Sequence, residues 1–259
     1  MSETRIGLQP SRDQRLREIV KLIRSGVSRV EDLAVEVDVS ESTVRRDLAS
    51  LEAEGRIDRT YGGARPSLPY RETRLGERMS IEMPAKALIG ARAAEWVQDH
   101  ATIFVDAGST CAELVAHLRD RRGLTVLTRG LDIALMLADS PTKVLVVGGE
   151  VSPSSHGLTG AVTLFILERF SCNLAFLGCD AVHPSRGVGE PTLEEAATKE
   201  MAARHAARTV VLAHAAKLST DAVPAWAHLP PGWTLVTDEA RPDRLEPFRE
   251  EGVTVVSVA

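Results

Sequence analysis

The residues with the most chemistry to offer fall in two short runs. The first is Ser42-Thr43-Val44-Arg45-Arg46. An arginine guanidinium can pair with guanine through two hydrogen bonds or grip a phosphate, and short hydroxyl side chains let a helix N-terminus approach a sugar-phosphate backbone. The second run is Val105-Asp106-Ala107-Gly108-Ser109-Thr110. A Gly-containing turn, two hydroxyls and a helix N-terminus together make an anion site, and phosphate is the usual occupant. Each run also has a plainer reading. The arginines would be solvated on a small amphipathic helix, and the second run would be a tight strand-to-helix turn with Gly for its backbone and Ser or Thr as a cap. The second run is neither a P-loop nor a dinucleotide fingerprint, because Gly-Lys-Ser/Thr and Gly-x-Gly-x-x-Gly are both absent around it.

Charge and composition narrow the function classes. The 259 residues carry 31 Lys+Arg against 36 Asp+Glu, a formal net charge of -5. Through Pro66 the chain has 12 of each sign, and the remainder has 19 against 24. A protein that coats nucleic acid non-specifically needs a positive balance, so any DNA binding here has to come from a few well-placed arginines. Three cysteines, Cys111, Cys172 and Cys179, lack any Cys-x-x-Cys spacing. That argues against a disulfide framework or zinc ribbon and fits a reduced, cytoplasmic protein. No His/Cys/Asp cluster has ligand spacing, so neither a metal nor another cofactor is expected. No apolar run approaches the roughly 18 residues of a membrane helix, and Met1 to Pro10 has no hydrophobic block of the signal-peptide type. Membrane insertion and secretion are therefore not expected.

The elements that must position these residues divide the chain in two. Leu16, Ile19, Val20 and Ile23 follow helical spacing from a start near Ser11 to a stop at Ser25-Gly26. Ser28 and Glu31 have capping-box spacing ahead of a second apolar stripe, Val30, Leu33, Ala34 and Val37. A third pattern, Val44, Leu48 and Leu51, has Ser40 as its natural N-cap and Gly55 as its stop. Two helices one short turn apart suggest a helix-turn-helix, with Ser42 and Arg46 facing outwards and Thr43 and Arg45 on the flanks. Arg56 to Tyr61 alternates weakly into Gly62-Gly63, as a small β-wing would. Residues 67-84 carry Pro69, Gly76 and Pro84 among charges and read as a linker. The expected division is a winged helix-turn-helix over 1-66, a linker over 67-84 and a larger domain over 85-259.

Beyond the linker, strands alternate with helices. Strand candidates are Thr102 to Asp106, Leu124 to Thr128, Lys143 to Val147, Leu174 to Gly178, Thr209 to Ala213, Thr234 to Thr237 and Val253 to Val258. Most are continuous apolar runs, which implies a mostly parallel sheet covered on both faces and an α/β fold. Open α/β sheets gather ligands at strand ends. The polar groups there are Thr128-Arg129, Gly148-Gly149-Glu150, Gly178-Cys179-Asp180 and His214 to Lys217. Lys217 offers a positive charge to a phosphate or carbonyl, and Asp180 can accept from sugar hydroxyls. Each of them taken singly also reads as an ordinary loop residue.

Ser40-Glu41-Ser42-Thr43-Val44-Arg45-Arg46-Asp47-Leu48, followed by Leu51-Glu52, Gly55 and Arg59-Thr60-Tyr61-Gly62-Gly63-Ala64, resembles the N-terminal signature of the DeoR family of bacterial transcriptional regulators. The resemblance implies that Ser42, Thr43, Arg45 and Arg46 belong to a recognition helix on double-stranded operator DNA. It gives Arg59 and Tyr61 to the wing, reaching phosphate. Asp47 is expected to orient an arginine. Lys86, Ile89-Gly90, Asp106 to Thr110, Leu127-Thr128, Gly148-Gly149, Gly178-Cys179-Asp180, Glu195-Ala196, Lys199 and Lys217 fall in the order of the DeoR-type sensor domain. That domain is similar in fold to ribose-5-phosphate isomerase and senses a phosphorylated sugar or related metabolite.

By this resemblance Asp106, Gly108, Ser109, Thr110, Thr128, Arg129, Gly149, Asp180, Lys199 and Lys217 form the effector site. Within it Ser109 and Thr110 hold the phosphate, and Asp180 and Lys217 face the sugar. Lys199 reads equally well as a surface helix residue. Two departures stand out, His214-Ala215-Ala216-Lys217 for the family's Asp-Ser-Ser-Lys and Arg129 for its asparagine. Arg129 would add positive charge beside a more anionic group, or sugar sensing has weakened; His214 reads equally as a neutral core-edge histidine. The function expected is a repressor of carbohydrate or related metabolic genes, acting as a homo-oligomer, dimer or tetramer, on a two-fold operator. The competing reading is a sugar-phosphate isomerase-like enzyme with a DNA module, using Glu195 as base and Lys217 as electrophile, though its proton-transfer set looks incomplete. A third is a ligand-independent scaffold.

Overall fold

The computed structural model describes residues 12–24, 27–53, 56–60, 62–66, 73–219 and 223–259. The chain forms two compact units, Met1–Tyr70 and Arg71–Ala259.

The first unit is three helices and a hairpin: α1 (Arg12–Arg24), α2 (Val30–Glu36), α3 (Glu41–Ala53), β1 (Ile57–Thr60) and β2 (Gly63–Pro66). Leu16, Ile19, Val20 and Ile23 of α1, Val30 and Leu33 of α2, and Val44, Leu48 and Leu51 of α3 bury together with Ile57 and Ala64. The three apolar stripes thus meet in one core, as their 3.6-residue period requires. Ser40 caps α3, its Oγ accepting from Thr43 N at 3.3 Å. The Ser28/Glu31 capping box does not form. Arg29 is the N-cap of α2 and makes no side-chain cap bond. The Ser28 carbonyl instead accepts from Ala64 N at 2.8 Å, and Val30 N donates to Gly62 O at 3.0 Å. The approach to α2 is therefore used to dock the wing. A Cβ on Gly63 would stand 2.0 Å from Ser28 O, so only glycine allows this contact.

The second unit opens with α4 (Leu75–Arg78), inside the stretch expected to be a linker, and α5 (Met83–Ala94) begins there too. Gly76 lies within α4 and Pro84 in the first turn of α5, where a proline is tolerated, so neither prevents a helix. Leu75 is buried, and its amide donates to Ser154 O at 2.8 Å. There follow β3 (Thr102–Val105), α6 (Ser109–Ala116), β4 (Thr125–Thr128), α7 (Leu131–Leu137), β5 (Lys143–Val146), the hairpin β6 (Glu150–Val151) and β7 (Leu158–Thr159), α8 (Ala161–Leu167) and β8 (Cys172–Leu177). The chain continues with β9 (Ala181–His183), β10 (Gly187–Glu190), α9 (Leu193–Arg204), β11 (Ala206–Leu212), β12 (Ala225–Ala227), β13 (Thr234–Thr237), α10 (Pro242–Glu250) and β14 (Thr254–Ser257).

All seven expected strands enter one sheet, in the order β14-β13-β11-β8-β3-β4-β5. Every pairing in it is parallel. Phe104 and Leu127 pack on one face, while Ile103, Val105 and Val126 pack on the other. Two covered faces explain why these strands read as continuous apolar runs. A small antiparallel sheet, β12-β10-β9, lies beside the main one.

Candidate functional site

On α3, Val44, Asp47, Leu48 and Leu51 point inwards, leaving Ser42, Arg45 and Arg46 exposed and Thr43 half-buried. Arg45 pairs with Glu41 at 2.9 Å, and Arg46 Nε donates to Ser42 O at 3.3 Å. Exposed contacts of this kind are worth little, so both guanidinium groups remain available to a duplex. Ser40 Oγ lies 2.9 Å from the hydroxyls of both Ser42 and Thr43. Arg59 is exposed on the wing strand β1, and Tyr61 lies outside the described residues. Asp47 orients neither neighbouring arginine. Its carboxylate is buried and accepts from Arg15 of α1, Nε to Oδ2 at 2.7 Å and Nη2 to Oδ1 at 3.3 Å. It fastens the outward-facing helix to α1. Sequence reading missed Arg15, whose only signal was an arginine beside the apolar stripe of α1.

In the second unit the sheet order reverses between β3 and β8. Chain after β3 builds outward through β4 and β5, and chain after β8 builds the opposite way through β11, β13 and β14. A reversal of this kind opens a crevice at the C-terminal strand ends. Asp106 follows β3 in that crevice, and Gly178 follows β8. Asp106 Oδ2 accepts from Gly178 N at 3.1 Å, and Oδ1 accepts from Ala107 N at 2.8 Å. The next residue, Gly108, is the N-cap of α6 at φ 124°, a conformation that favours glycine. The first helical bond is Ala112 N to Gly108 O at 3.0 Å, which leaves the amides before it for a ligand. Among the described residues neither the Ser109 nor the Thr110 hydroxyl has a hydrogen-bond partner.

Beneath this turn lies a network of five buried ionisable residues. Arg129 Nε donates to Asp106 Oδ1 at 2.5 Å and its Nη1 to Glu195 Oε1 at 3.4 Å. Lys199 Nζ contacts Asp106 Oδ2 at 3.1 Å, donates to Gly178 O at 2.9 Å, and is bonded to Glu190. Ser155 Oγ donates to Glu195 Oε1 at 2.8 Å, while Glu195 Oε2 is buried with no partner among the described residues. Burial works against ionisation of Asp106, but Arg129 and Lys199 outweigh it and hold the carboxyl below its usual range. Burial pushes Glu190 up to about 8, despite Lys199.

Asp106, Arg129 and Lys199 are thus employed on one another and on the turns, not presented to solvent. Lys199 is not a surface residue, since only 2% of it is exposed. Thr128 is committed as well, its Oγ1 donating to Val105 O at 2.7 Å and accepting from Gly130 N at 3.0 Å. Gly149 stands apart at the β6 turn, where a Cβ would meet Thr163 Oγ1 at 2.3 Å. Glu190 and Ser155 were not singled out by the sequence; both owe their place to segments distant in the chain.

Asp180 and Lys217 come together with Arg78 of α4. Asp180 Oδ1 accepts from Lys217 Nζ at 3.0 Å and from Arg78 Nη1 at 3.2 Å. Lys86 is buried and donates to the carbonyls of Arg78 and Ile81, each at 2.5 Å. Burial lowers its pKa, and the charges of Lys217 and Arg78 lower it further. His214 is pushed down to about 4 by burial, then by Lys217 and Lys86, and is neutral at pH 7. A neutral imidazole is a weak acid, so His214 does not replace the acid that the enzyme reading needs beside Lys217. On the other flank of α6 a cavity of about 320 Å³ is lined by Leu75, Met79, Ile133 and Met136 together with Gly108 and Ser155. Of the residues singled out for the effector, Gly108 alone lines it.

Residues 15–67 match the DeoR-like helix-turn-helix domain and residues 81–239 the DeoR C terminal sensor domain. The HTH-type transcriptional regulator GlpR of Haloferax volcanii is 31% identical over 246 residues, covering 94% of this chain and 96% of that one. The lactose phosphotransferase system repressor of Streptococcus mutans is 31% identical over 241 residues, covering 91% and 95%. Ribose 5-phosphate isomerase A of Methanocaldococcus jannaschii, at 16% identity and a TM-score of 0.38, covers 51% of this chain and 52% of its own; a likeness at that level carries no argument. The relatives are regulators, and the enzyme reading is not favoured. The chain belongs to the DeoR family of DNA-binding transcriptional regulators.

Proposed function

We propose that the protein is a repressor of carbohydrate or related metabolic genes whose operator affinity is set by a phosphorylated sugar-like effector. In this reading residues 1-66 are the DNA-binding domain, 67-84 join the two functions, and 85-259 sense the effector. Ser42, Thr43, Arg45 and Arg46 enter the major groove, while Arg59 and Tyr61 touch phosphate from the wing. The effector's phosphoryl group takes the Gly108–Thr110 turn, and Asp180 and Lys217 meet the remainder. Asp106, Thr128, Arg129 and Lys199 hold that turn in place from beneath, and Gly149 shapes the neighbouring hairpin. The protein works in the cytoplasm as an even-numbered homo-oligomer, dimer or tetramer, because paired recognition helices fit a two-fold operator.

The observation that carries this reading is the pair of hydroxyls, Ser109 and Thr110, without a hydrogen-bond partner among the described residues, at a helix N-terminus in the crevice where the sheet order reverses. A buried charge network holds the turn open for an anion it does not itself supply. The test is a thermal-shift and calorimetric screen of sugar phosphates, run in parallel on Ser109→Ala. Concentration-dependent stabilisation of the wild type, lost or weakened in the variant, is expected. A panel in which no phosphosugar gives heat or stabilisation contradicts it and favours a ligand-independent scaffold.

A further inference from the structure

The crevice contains a second place for negative charge. Arg78 and Lys217 both donate to one oxygen of Asp180, at 3.2 and 3.0 Å, and Lys86 lies against the Arg78 carbonyl. Arg78 and Lys217 therefore meet on one oxygen of Asp180, and Lys86, held on the Arg78 carbonyl, adds a third cation close by. Glu82 and Glu113 act on Lys86, but less strongly than Lys217 and Arg78 do. Asp238 faces the His214 side, where its Oδ1 accepts from Ala215 N at 2.7 Å. The network around Asp106 differs, because three acidic side chains, Asp106, Glu190 and Glu195, face its two cations, Arg129 and Lys199. The two places are also close. Asp106 bonds the amide of Gly178, and Asp180 stands two residues further on, a span of at most about 7 Å along the chain.

We propose that Arg78 is an effector-binding residue and that, with Lys217, it forms a second anionic subsite beside the Gly108–Thr110 turn. The effector that fills both is a phosphosugar with a further anionic group, a second phosphate or a carboxylate. Asp180 holds the two cations in place in the unliganded protein, and the ligand's second anion takes over their hydrogen bonds. A neutral sugar end would leave the pairs on Asp180 as they are. Arg78 also gives the site its regulatory reach. It stands on α4, only eight residues past the end of the first unit, and Leu75 N ties the start of that helix to Ser154 O at 2.8 Å. A ligand that takes Arg78 from Asp180 changes what anchors α4. Nothing in the local sequence marks this role, since Arg78 and Asp180 are 102 positions apart.

This inference rests on the phosphosugar reading, and its test separates the two. Calorimetry on the full chain compares fructose 1,6-bisphosphate with fructose 6-phosphate for the wild type, Arg78→Gln and Arg78→Lys. The wild type is expected to bind the bisphosphate at least tenfold more tightly. Arg78→Gln is expected to erase that preference while keeping its affinity for the monophosphate, and Arg78→Lys to retain part of it. The lysine variant keeps the charge, so loss of the subsite is distinguished from loss of the fold. A wild type with no preference, or an Arg78→Gln protein that weakens both ligands equally, overturns the second subsite and leaves the phosphosugar reading standing. Failure of both ligands to bind, together with every other phosphosugar tried, overturns both.

Discussion

At the scale of single residues, the account turns on which charges are already spent. Arg45 and Arg46 are held only by exposed partners on their own helix, whereas Asp47 is buried and committed to Arg15. Replacing Arg45 or Arg46 by alanine is predicted to weaken operator binding by about 1 to 3 kcal/mol. Effector binding and the melting temperature should be unchanged. A gel-shift series with unaltered affinity would remove these residues from the interface. Asp47→Ala should act differently, costing about 1.5 to 3 kcal/mol of stability by stranding Arg15, which a denaturant melt will read. His214 supplies a pH dependence. Its folded pKa, about 4, lies below the unfolded value near 6.5, so the unfolded chain binds more protons in between. Stability should therefore fall as pH falls from about 6.5 towards 4, and His214→Gln should flatten that part of the profile. Melting temperatures measured across that window in both proteins decide the point.

At the scale of elements, the glycines and the buried network are the parts that tolerate least. A side chain at Gly63 runs into the backbone of Ser28 and Arg29, which cannot rotate aside. Gly63→Val is predicted to cost on the order of 1 to 3 kcal/mol and to loosen the wing, with reduced operator binding in step. Arg129→Met leaves Glu195 buried without its cation and Asp106 with Lys199 alone, and should cost about 3 to 5 kcal/mol in a denaturant melt. A change under about 1 kcal/mol would mean that Arg129 does not hold the turn. The central strands were legible in the sequence because burial on both faces writes itself as apolar runs such as Thr102 to Val105 and Thr234 to Thr237. The helices of the first unit were legible from their stripes. The short α4 and the three-residue strands β9 and β12 were not, since elements of that length have no period to detect. The Ser28/Glu31 spacing misled because a backbone contact with the wing took the place of the cap. In the site, Asp106, Ser109 and Thr110 were visible as a local motif. Glu190, Ser155 and Arg78 were not, because only the fold brings them to their partners, and nothing near Arg129 in sequence told that its charge would be turned inward.

At the scale of the whole molecule, the chain joins a helix-turn-helix domain to a sensor domain, and the proposed function requires a coupling free energy between them. Such couplings amount to about 1 to 3 kcal/mol, or roughly 5- to 150-fold in affinity, and they are reciprocal. Effector binding must favour one arrangement of the protein over another, or no response follows. The most direct test is the operator dissociation constant measured by fluorescence anisotropy at increasing concentrations of a phosphosugar already shown by calorimetry to bind. The account predicts at least a fivefold change in operator affinity that saturates with the calorimetric binding curve and disappears in Ser109→Ala. A saturated sensor with unchanged operator affinity would contradict it.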